Sequence, residues 1–136
     1  MNRYEAYGPT VLRIALGIIF IAHSAYLKVF VFTLPGTVGF FESLGLSAPI
    51  AYAVLAAEAI GGALLVLGIR VRETALVLAV VAFGATWVHL GAGWVFSNEG
   101  GGWEYPLFLA IACIAQALLG PGAMAPTTIA RRETAA

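Results

Sequence analysis

Three ionisable side chains stand inside long apolar segments of this sequence, where a charge is unfavourable. Glu58 lies in the run AVLAAEAIGGALLVLG at residues 53–68, and His23 and His89 lie in two other apolar segments. A charged group at the centre of a membrane helix costs roughly 2.5–3.5 kcal/mol on insertion scales. Such a group stays neutral, pairs with a partner or faces a water-filled cavity. The three residues are therefore candidates for one polar site.

Two imidazoles and a carboxylate are compatible with four kinds of site. The first is a buried hydrogen-bonded network that holds the helices together. The second is a pocket for the head of a lipophilic ligand such as a quinone, in which His23 and His89 bind the carbonyls and Glu58 holds or accepts a proton. The third is a metal site, although no HxxxH spacing supports it, and the fourth is a haem with two histidine ligands. We assign no metal ligand and no catalytic residue on the sequence alone.

The composition places this chain in a lipid environment. It has 136 residues, enough for one domain, and 61% of them are hydrophobic while 10% are charged. Soluble domains have roughly 45–50% apolar residues, and so small a chain has too little interior to bury the excess. The net charge of zero gives no indication of nucleic-acid binding. Cys113 is the only cysteine, which excludes an intrachain disulfide and a cysteine-built iron–sulfur or zinc site.

The apolar runs predict an all-α fold, an integral membrane four-helix bundle over residues 1–122. About 20 residues cross the roughly 30 Å hydrocarbon core of a bilayer. The predicted spans are about 11–32, 50–69, 75–94 and 107–119.

The connection between the first two spans is unusually apolar. It contains Phe40 and Phe41 beside a single charge, Glu42. We predict a short interfacial helix there, with the two aromatic rings anchored at the lipid headgroups. Residues 123–136 are predicted to be a disordered cytoplasmic tail.

The basic residues predict the orientation of the bundle. Four spans place both termini on one side, together with three arginine pairs: Arg3 and Arg13, Arg70 and Arg72, Arg131 and Arg132. The positive-inside rule then places both termini in the cytoplasm. Arg13 is expected to snorkel towards that surface. Lys28 is expected to anchor at the opposite headgroups.

Counting residues from the helix ends places the three ionisable groups in the outer half of the membrane, with Glu58 near the midplane and the histidines about one to two turns above it. At 1.5 Å per residue, Glu58 lies about 13 Å below the outer end of its span, and each histidine lies roughly 7–8 Å below the end of its own. Asn98 and Glu104 follow the third span and would edge the mouth of a pocket there. Gly62, one turn from Glu58, would let a neighbouring helix approach closely.

Four segments in order carry a resemblance to a known family. They are LRIALGIIFIAHSAYLKVF at 12–30, FFESLGLSAP at 40–49, AEAIGGALLVLGIRVR at 57–72 and VHLGAGWVFSNEGGGWEYPLFL at 88–109. With these segments the chain resembles the DoxX family of small bacterial four-helix membrane proteins. The resemblance implies a multi-pass protein of the bacterial cytoplasmic membrane. Members include the membrane part of a thiosulfate:quinone oxidoreductase, but this chain lacks the cysteines expected of a complete sulfur-oxidising enzyme.

We therefore expect a membrane subunit of an oxidoreductase complex that binds a quinone or another lipophilic ligand in the outer half of the bilayer. The expected pocket residues are His23, Glu58, His89, Asn98 and Glu104. The expected partners are the lipid bilayer and other membrane or periplasmic redox subunits. The alternatives are a non-enzymatic anchor or assembly subunit working through Phe40 and Phe41, and a carrier of small molecules or lipids. The sequence leaves open whether the chain is itself an enzyme.

Overall fold

The computed structural model describes residues 4–134, and every regular element in that range is helical. This confirms the all-α prediction. The α-helices are α1 (Gly8–Ile21), α2 (Leu34–Ser43), α3 (Ala48–Leu67), α4 (Val71–His89), α5 (Glu104–Leu119) and α6 (Pro126–Thr134). A π-helical segment, Ala22–Val31, continues α1, and a 3-10 turn, Leu90–Ala92, continues α4. Arg3 and the side chains of Arg131 and Arg132, which contributed to the predicted orientation, lie outside the described part of the chain.

Within residues 4–134, three continuous helices are long and apolar enough to cross a membrane: Gly8–Val31, Ala48–Leu67 and Val71–Ala92. They correspond to the first three predicted spans. The predicted fourth span corresponds to α5, which has 16 residues and a length of about 24 Å at 1.5 Å per residue. Large apolar side chains such as Val11, Ile60 and Val80 are exposed on these helices, as expected of surfaces that face lipid.

The helices pack side by side around a small apolar core. α3 packs between α1 and α4, and α5 packs against α4 and also contacts α1. A Cβ atom added to Gly17 would lie 2.6 Å from the carbonyl oxygen of Gly62, so α1 and α3 meet backbone to backbone at these two glycines. The predicted close approach of a helix beside Glu58 is thus confirmed. The main buried apolar residues are Leu16, Phe20, Leu65, Leu78, Leu109 and Cys113.

The short helix predicted between the first two spans is present as α2. Thr33 precedes it with φ 64°, and its hydroxyl accepts a hydrogen bond from the N–H of Gly36 at 3.3 Å. α2 contacts α3 and the π-helical segment. Thr37 is buried in this contact and donates its hydroxyl to the carbonyl of Lys28 at 2.8 Å. α2 is therefore hydrogen-bonded to the first span rather than attached to the bundle only through its flanking loops.

Arg13 is buried, and the prediction that it snorkels is wrong. Its side chain is only 2% exposed. Nη1 donates to the carbonyls of Leu65 at 2.8 Å and Val66 at 2.6 Å, and Nε donates to the carbonyl of Pro121 at 2.9 Å. The last carbonyls of a helix have no N–H partner within it. The guanidinium donates to two of these carbonyls in α3, of which that of Leu65 also accepts from the N–H of Gly68, and it ties this helix end to the segment after α5.

The chain after α5 was predicted to be disordered, but in the structure it folds back on the N-terminal part. The N–H of Ala123 donates to the carbonyl of Ala6 at 2.8 Å, and Ala125 is fully buried. The Cβ of Ala125 fits against Gly68, at the end of α3. Small side chains make this contact possible, and α6 begins directly after it. We call this end of the helices, which carries Arg13, Arg70 and Arg72, the arginine end.

Candidate functional site

A cavity of about 230 Å³ lies away from the arginine end, and His23, Glu58 and His89 all line it. The three residues come from the π-helical segment, α3 and α4 respectively. The structure thus brings together the three residues that sequence reasoning selected as one set. The remaining walls come largely from α4, α5 and the loop between them, and include Ala82, Ala85, Phe96, Gly101, Gly102, Tyr105 and Leu109. We call this space the histidine cavity.

Glu58 is paired with Lys28, which sequence reasoning had placed at the headgroups. The ammonium of Lys28 donates to Oε2 of Glu58, and both side chains are largely buried. The prediction for Lys28 was wrong because it assumed α-helical geometry. On an α-helix, five residues at about 100° each would turn Lys28 about 140° away from His23.

The π-helical segment is what brings Lys28 round to the cavity side. In a π-helix each N–H donates to the carbonyl five residues earlier, as the N–H of Phe32 does to Leu27 at 2.8 Å. Residues five apart, such as His23 and Lys28, therefore follow one another on the same side. π-helical turns are rare in proteins, and those that do occur often lie at functional sites.

His23 is held by its own helix and by an aromatic neighbour. Its Nδ1 lies 2.9 Å from the carbonyl oxygen of Ile19. A carbonyl oxygen only accepts, so Nδ1 carries the hydrogen. The ring stacks on Tyr105 of α5, with centroids 6.1 Å apart and planes inclined by 26°.

His89 is held in the same way by the loop between α4 and α5. Its Nδ1 lies 3.0 Å from the carbonyl oxygen of Gly100 and therefore also carries the hydrogen. Gly101 lies against the ring with φ 76°, a conformation that favours glycine. A Cβ atom at Gly102 would lie 2.2 Å from the carbonyl oxygen of Trp94. The glycines thus allow the loop to fold tightly over His89.

The second ring nitrogen of each histidine remains available. Among residues 4–134, neither Nε2 atom has a hydrogen-bond partner, and neither is among the fully buried polar atoms left unpaired. Since Nδ1 carries the hydrogen in both rings, each neutral ring has a lone pair on Nε2. The two histidines that line the cavity therefore carry two hydrogen-bond acceptors with no partner among the described residues.

Asn98 and Glu104 support the loop and do not line the histidine cavity. Nδ2 of Asn98 donates to the carbonyl of Ala92 at 2.9 Å, and Oε1 of Glu104 accepts from the N–H of Phe96 at 3.0 Å. Both residues were predicted to edge the mouth of a pocket. They brace the segment whose glycines form the cavity wall, and Glu104 also lines a neighbouring groove.

That groove is larger, about 710 Å³, and mostly apolar. Phe96 and Tyr105 belong both to it and to the histidine cavity. Its outer wall includes Phe108, which is 65% exposed. Trp94 also lines the groove and packs edge-on against Trp103 at 4.5 Å between centroids. An apolar surface thus leads from the lipid-facing side of α5 to the polar cavity.

Sequence reasoning missed Lys28 and Tyr105 as parts of the site. No sequence signal distinguishes a π-helical turn from an α-helix in AHSAYLKVFV, residues 22–31. Tyr105 stands at the start of α5, where aromatic residues are also expected at a membrane surface. A metal site finds no support, since nowhere in residues 4–134 do three His, Cys, Asp or Glu side chains converge to hold an ion.

Comparison with known proteins gives two matches. The family model described as DoxX matches residues 8–91, a range that includes His23, Lys28, Glu58 and His89. A protein named "Putative oxidoreductase CatD", from Bacillus subtilis (strain 168), is 38% identical over 85 residues. This match covers 62% of the present chain and 61% of the relative, so it spans less than two thirds of the relative's length. No solved structure matches the chain.

Proposed function

The chain belongs to the DoxX family of multi-pass membrane proteins, and from this premise we propose that it is a membrane subunit of an oxidoreductase complex that binds a quinone-type ring. One observation carries the proposal. Residues His23, Glu58 and His89, from three different helices, line one cavity, and that cavity shares Phe96 and Tyr105 with an apolar groove. A polar end and an apolar approach are what an amphiphilic ligand requires. The name of the Bacillus subtilis relative, "Putative oxidoreductase CatD", agrees with this function.

The volumes support a ring in the cavity and a hydrocarbon chain in the groove. A cavity of about 150 Å³ binds benzene, so about 230 Å³ has room for one substituted six-membered ring. The groove of about 710 Å³ could then take an apolar tail, with Tyr105 and Phe96 at the boundary. A ligand dissolved in the bilayer would reach the cavity along α5.

The polar residues suit a ligand that exchanges protons with its redox state. Imidazole can accept or give a proton near neutral pH. Glu58 and Lys28 lie beside the histidines as an ion pair. Cys113 is the only cysteine and is buried, so electrons would pass between the ligand and a partner subunit rather than through a thiol pair of this chain.

The proposed topology has four spans, including α5, with both termini in the cytoplasm of a bacterium and the histidine cavity in the outer half of its inner membrane. Arg13, Arg70 and Arg72 support it, since all three lie at one end of the helices. The positive-inside rule assigns that end to the cytoplasm. α2, with Phe40 50% exposed, would then lie at the outer surface.

Ring binding can be tested by filling the cavity without removing a polar group. The protein in lipid nanodiscs would be titrated with duroquinone and followed by tryptophan fluorescence, since Trp94 lines the adjoining groove. Ala85→Leu extends a side chain into the cavity and should weaken binding at least about tenfold, the equivalent of 1.4 kcal/mol. Tyr52→Phe, on an exposed part of α3, is the matched control. Equal affinity of the wild type, the control and Ala85→Leu would contradict ring binding.

The exposed Phe40 supports a second candidate function, a non-enzymatic anchor for partner proteins. Its ring packs edge-on against Phe41, with centroids 6.2 Å apart, and half of the residue remains exposed. If this surface is the working part, Phe40→Ser should reduce recovery of cross-linked partners. Ala85→Leu should then leave that recovery unchanged.

A further inference from the structure

We propose that the histidine cavity prefers a hydroxylated ring, a hydroquinone or a phenol, over the corresponding quinone. This inference rests on the proposed function, because it assumes that the cavity takes a ring. It goes beyond that function by assigning the chemical form of the ligand. The preferred form of the ligand depends on which ring nitrogens of His23 and His89 carry hydrogen.

The tautomer of both histidines is set by backbone carbonyls. Nδ1 of His23 donates to Ile19 at 2.9 Å, and Nδ1 of His89 donates to Gly100 at 3.0 Å. These two carbonyls can only accept. A neutral ring that donated from Nε2 instead would leave a lone pair on Nδ1 facing a carbonyl oxygen, which is repulsive.

The two Nε2 atoms therefore present acceptors to a ligand. A hydroxyl group can donate to such an atom, whereas a quinone carbonyl presents only lone pairs. Glu58 does not reverse this preference, because a carboxylate is also an acceptor. Lys28 is the nearby donor, but it is not among the residues that line the cavity, and its ammonium is directed at Glu58.

Tyr105 contributes the one hydroxyl among the residues that line the cavity within the described chain. It can donate to a carbonyl or accept from a hydroxyl, so it serves both forms of the ligand. Removing this hydroxyl takes a donor away from the quinone. Tyr105→Phe is therefore expected to increase the preference for the hydroxylated form.

The first measurement examines the protein without any substitution. The ¹⁵N spectrum of histidine-labelled protein in nanodiscs, at about pH 8 where an ordinary imidazole is neutral, should show both rings protonated at Nδ1. A ring protonated at Nε2 would overturn the inference, whatever the cavity binds.

The second measurement compares duroquinone with durohydroquinone by equilibrium dialysis under anaerobic conditions, with protein-free nanodiscs to correct for partitioning. The hydroquinone should bind at least about tenfold more tightly, the effect expected of one to two hydrogen bonds. His89→Gln places an amide, which can donate, near the position of Nε2 and should reduce the ratio. Tyr52→Phe should leave it unchanged.

The outcomes separate this inference from the proposed function. If both probes bind equally, or the quinone binds more tightly, the preference is wrong while ring binding stands. If neither probe binds although the ¹⁵N spectrum shows Nδ1 protonated, the proposed function fails and the preference fails with it. Tighter binding of the hydroquinone, with the ratio reduced in His89→Gln, supports both.

Discussion

The arginine end and the histidine cavity both contain polar groups within an apolar helical protein, but they use them differently. At the arginine end, Arg13 donates to three backbone carbonyls. Arg72 similarly donates to Ala117 at 2.7 Å and Leu118 at 3.1 Å, the last carbonyls of α5. In the cavity, by contrast, His23 and His89 each use one ring nitrogen for the backbone, and the other has no hydrogen-bond partner within residues 4–134.

The difference indicates which polar residues stabilise the fold and which are available to a ligand. A buried donor that hydrogen-bonds the last carbonyls of a helix removes the free-energy cost of leaving them unsatisfied. Its replacement should therefore change the free energy of unfolding and leave ligand binding unchanged. A polar atom left free in a cavity contributes little to the fold and can bind something else. Variants at the arginine end should therefore change unfolding, and variants in the cavity should change binding.

The ion pair of Lys28 and Glu58 combines both roles, because Glu58 lines the histidine cavity and both side chains are largely buried. Lys28→Met leaves the carboxylate without its partner and should destabilise the protein by about 3–5 kcal/mol. The double variant Lys28→Met, Glu58→Gln removes both charges and should recover most of that loss. The free energies of unfolding of the wild type, the single variants and the double variant are measured by reversible unfolding in mixed micelles. Strictly additive effects would show that the two residues are not coupled.

Arg13→Met should lower the free energy of unfolding by about 3 kcal/mol, because it leaves the carbonyls of Val66 and Pro121 without their donor and removes one of the two donors to the carbonyl of Leu65. Arg13→Lys should recover only part, since an ammonium cannot reproduce the planar fork of a guanidinium. Arg70→Lys, on an exposed residue, is the control. The fraction of Arg13→Met that stays folded should bind duroquinone with the affinity of the wild type. A change in its affinity would show that the two ends are linked.

Gly17→Ala and Gly84→Ala form a matched pair that tests the packing between the two regions. At Gly17 the new Cβ would lie 2.6 Å from a backbone oxygen of α3, whereas at Gly84 nothing lies within 4 Å. The first substitution should destabilise by about 1–3 kcal/mol through overpacking. The second should stabilise by up to about 1 kcal/mol, because alanine favours helix. Equal melting temperatures of the two variants would contradict the close contact of α1 and α3.

Thr37→Val should have the smallest effect, about 1 kcal/mol, from the loss of the hydrogen bond to the carbonyl of Lys28. The carbonyl belongs to the π-helical segment, so hydrogen exchange there should become faster. Ser43→Ala, on the same helix but exposed, should leave exchange in that segment unchanged. Unchanged protection in both variants would show that α2 does not stabilise the π-helical turn.

The positions of the main helices were predictable, because they depend on the local pattern of apolar residues and on the surrounding lipid. Apolar runs bounded by Pro35, Pro49 and Pro106 located the four main helices to within a few residues. Small residues one turn from Glu58 indicated the contact now seen between Gly62 and α1. The depth count also selected His23, Glu58 and His89 as one set, and all three line one cavity in the structure.

The partners of the polar groups were not predictable, because they depend on rotation and on contacts distant in sequence. Lys28 reaches Glu58 only because the backbone between His23 and Lys28 follows a π-helical path. Arg13 donates to carbonyls 52 to 108 residues further along the chain. From the sequence alone, an arginine near a helix end is equally compatible with a side chain that extends to the membrane surface.

Hydropathy and helical rise are local properties, so the order of residues alone was enough to predict a helical membrane protein with one carboxylate and two imidazoles in the same half of the bilayer. The tertiary structure decided the rest. Only the packed chain places Lys28 on Glu58, closes the glycine loop over His89 and directs a backbone carbonyl at each Nδ1. Those contacts decide which ring nitrogens are free, because a hydrogen-bond donor is assigned by its partner and not by its residue type.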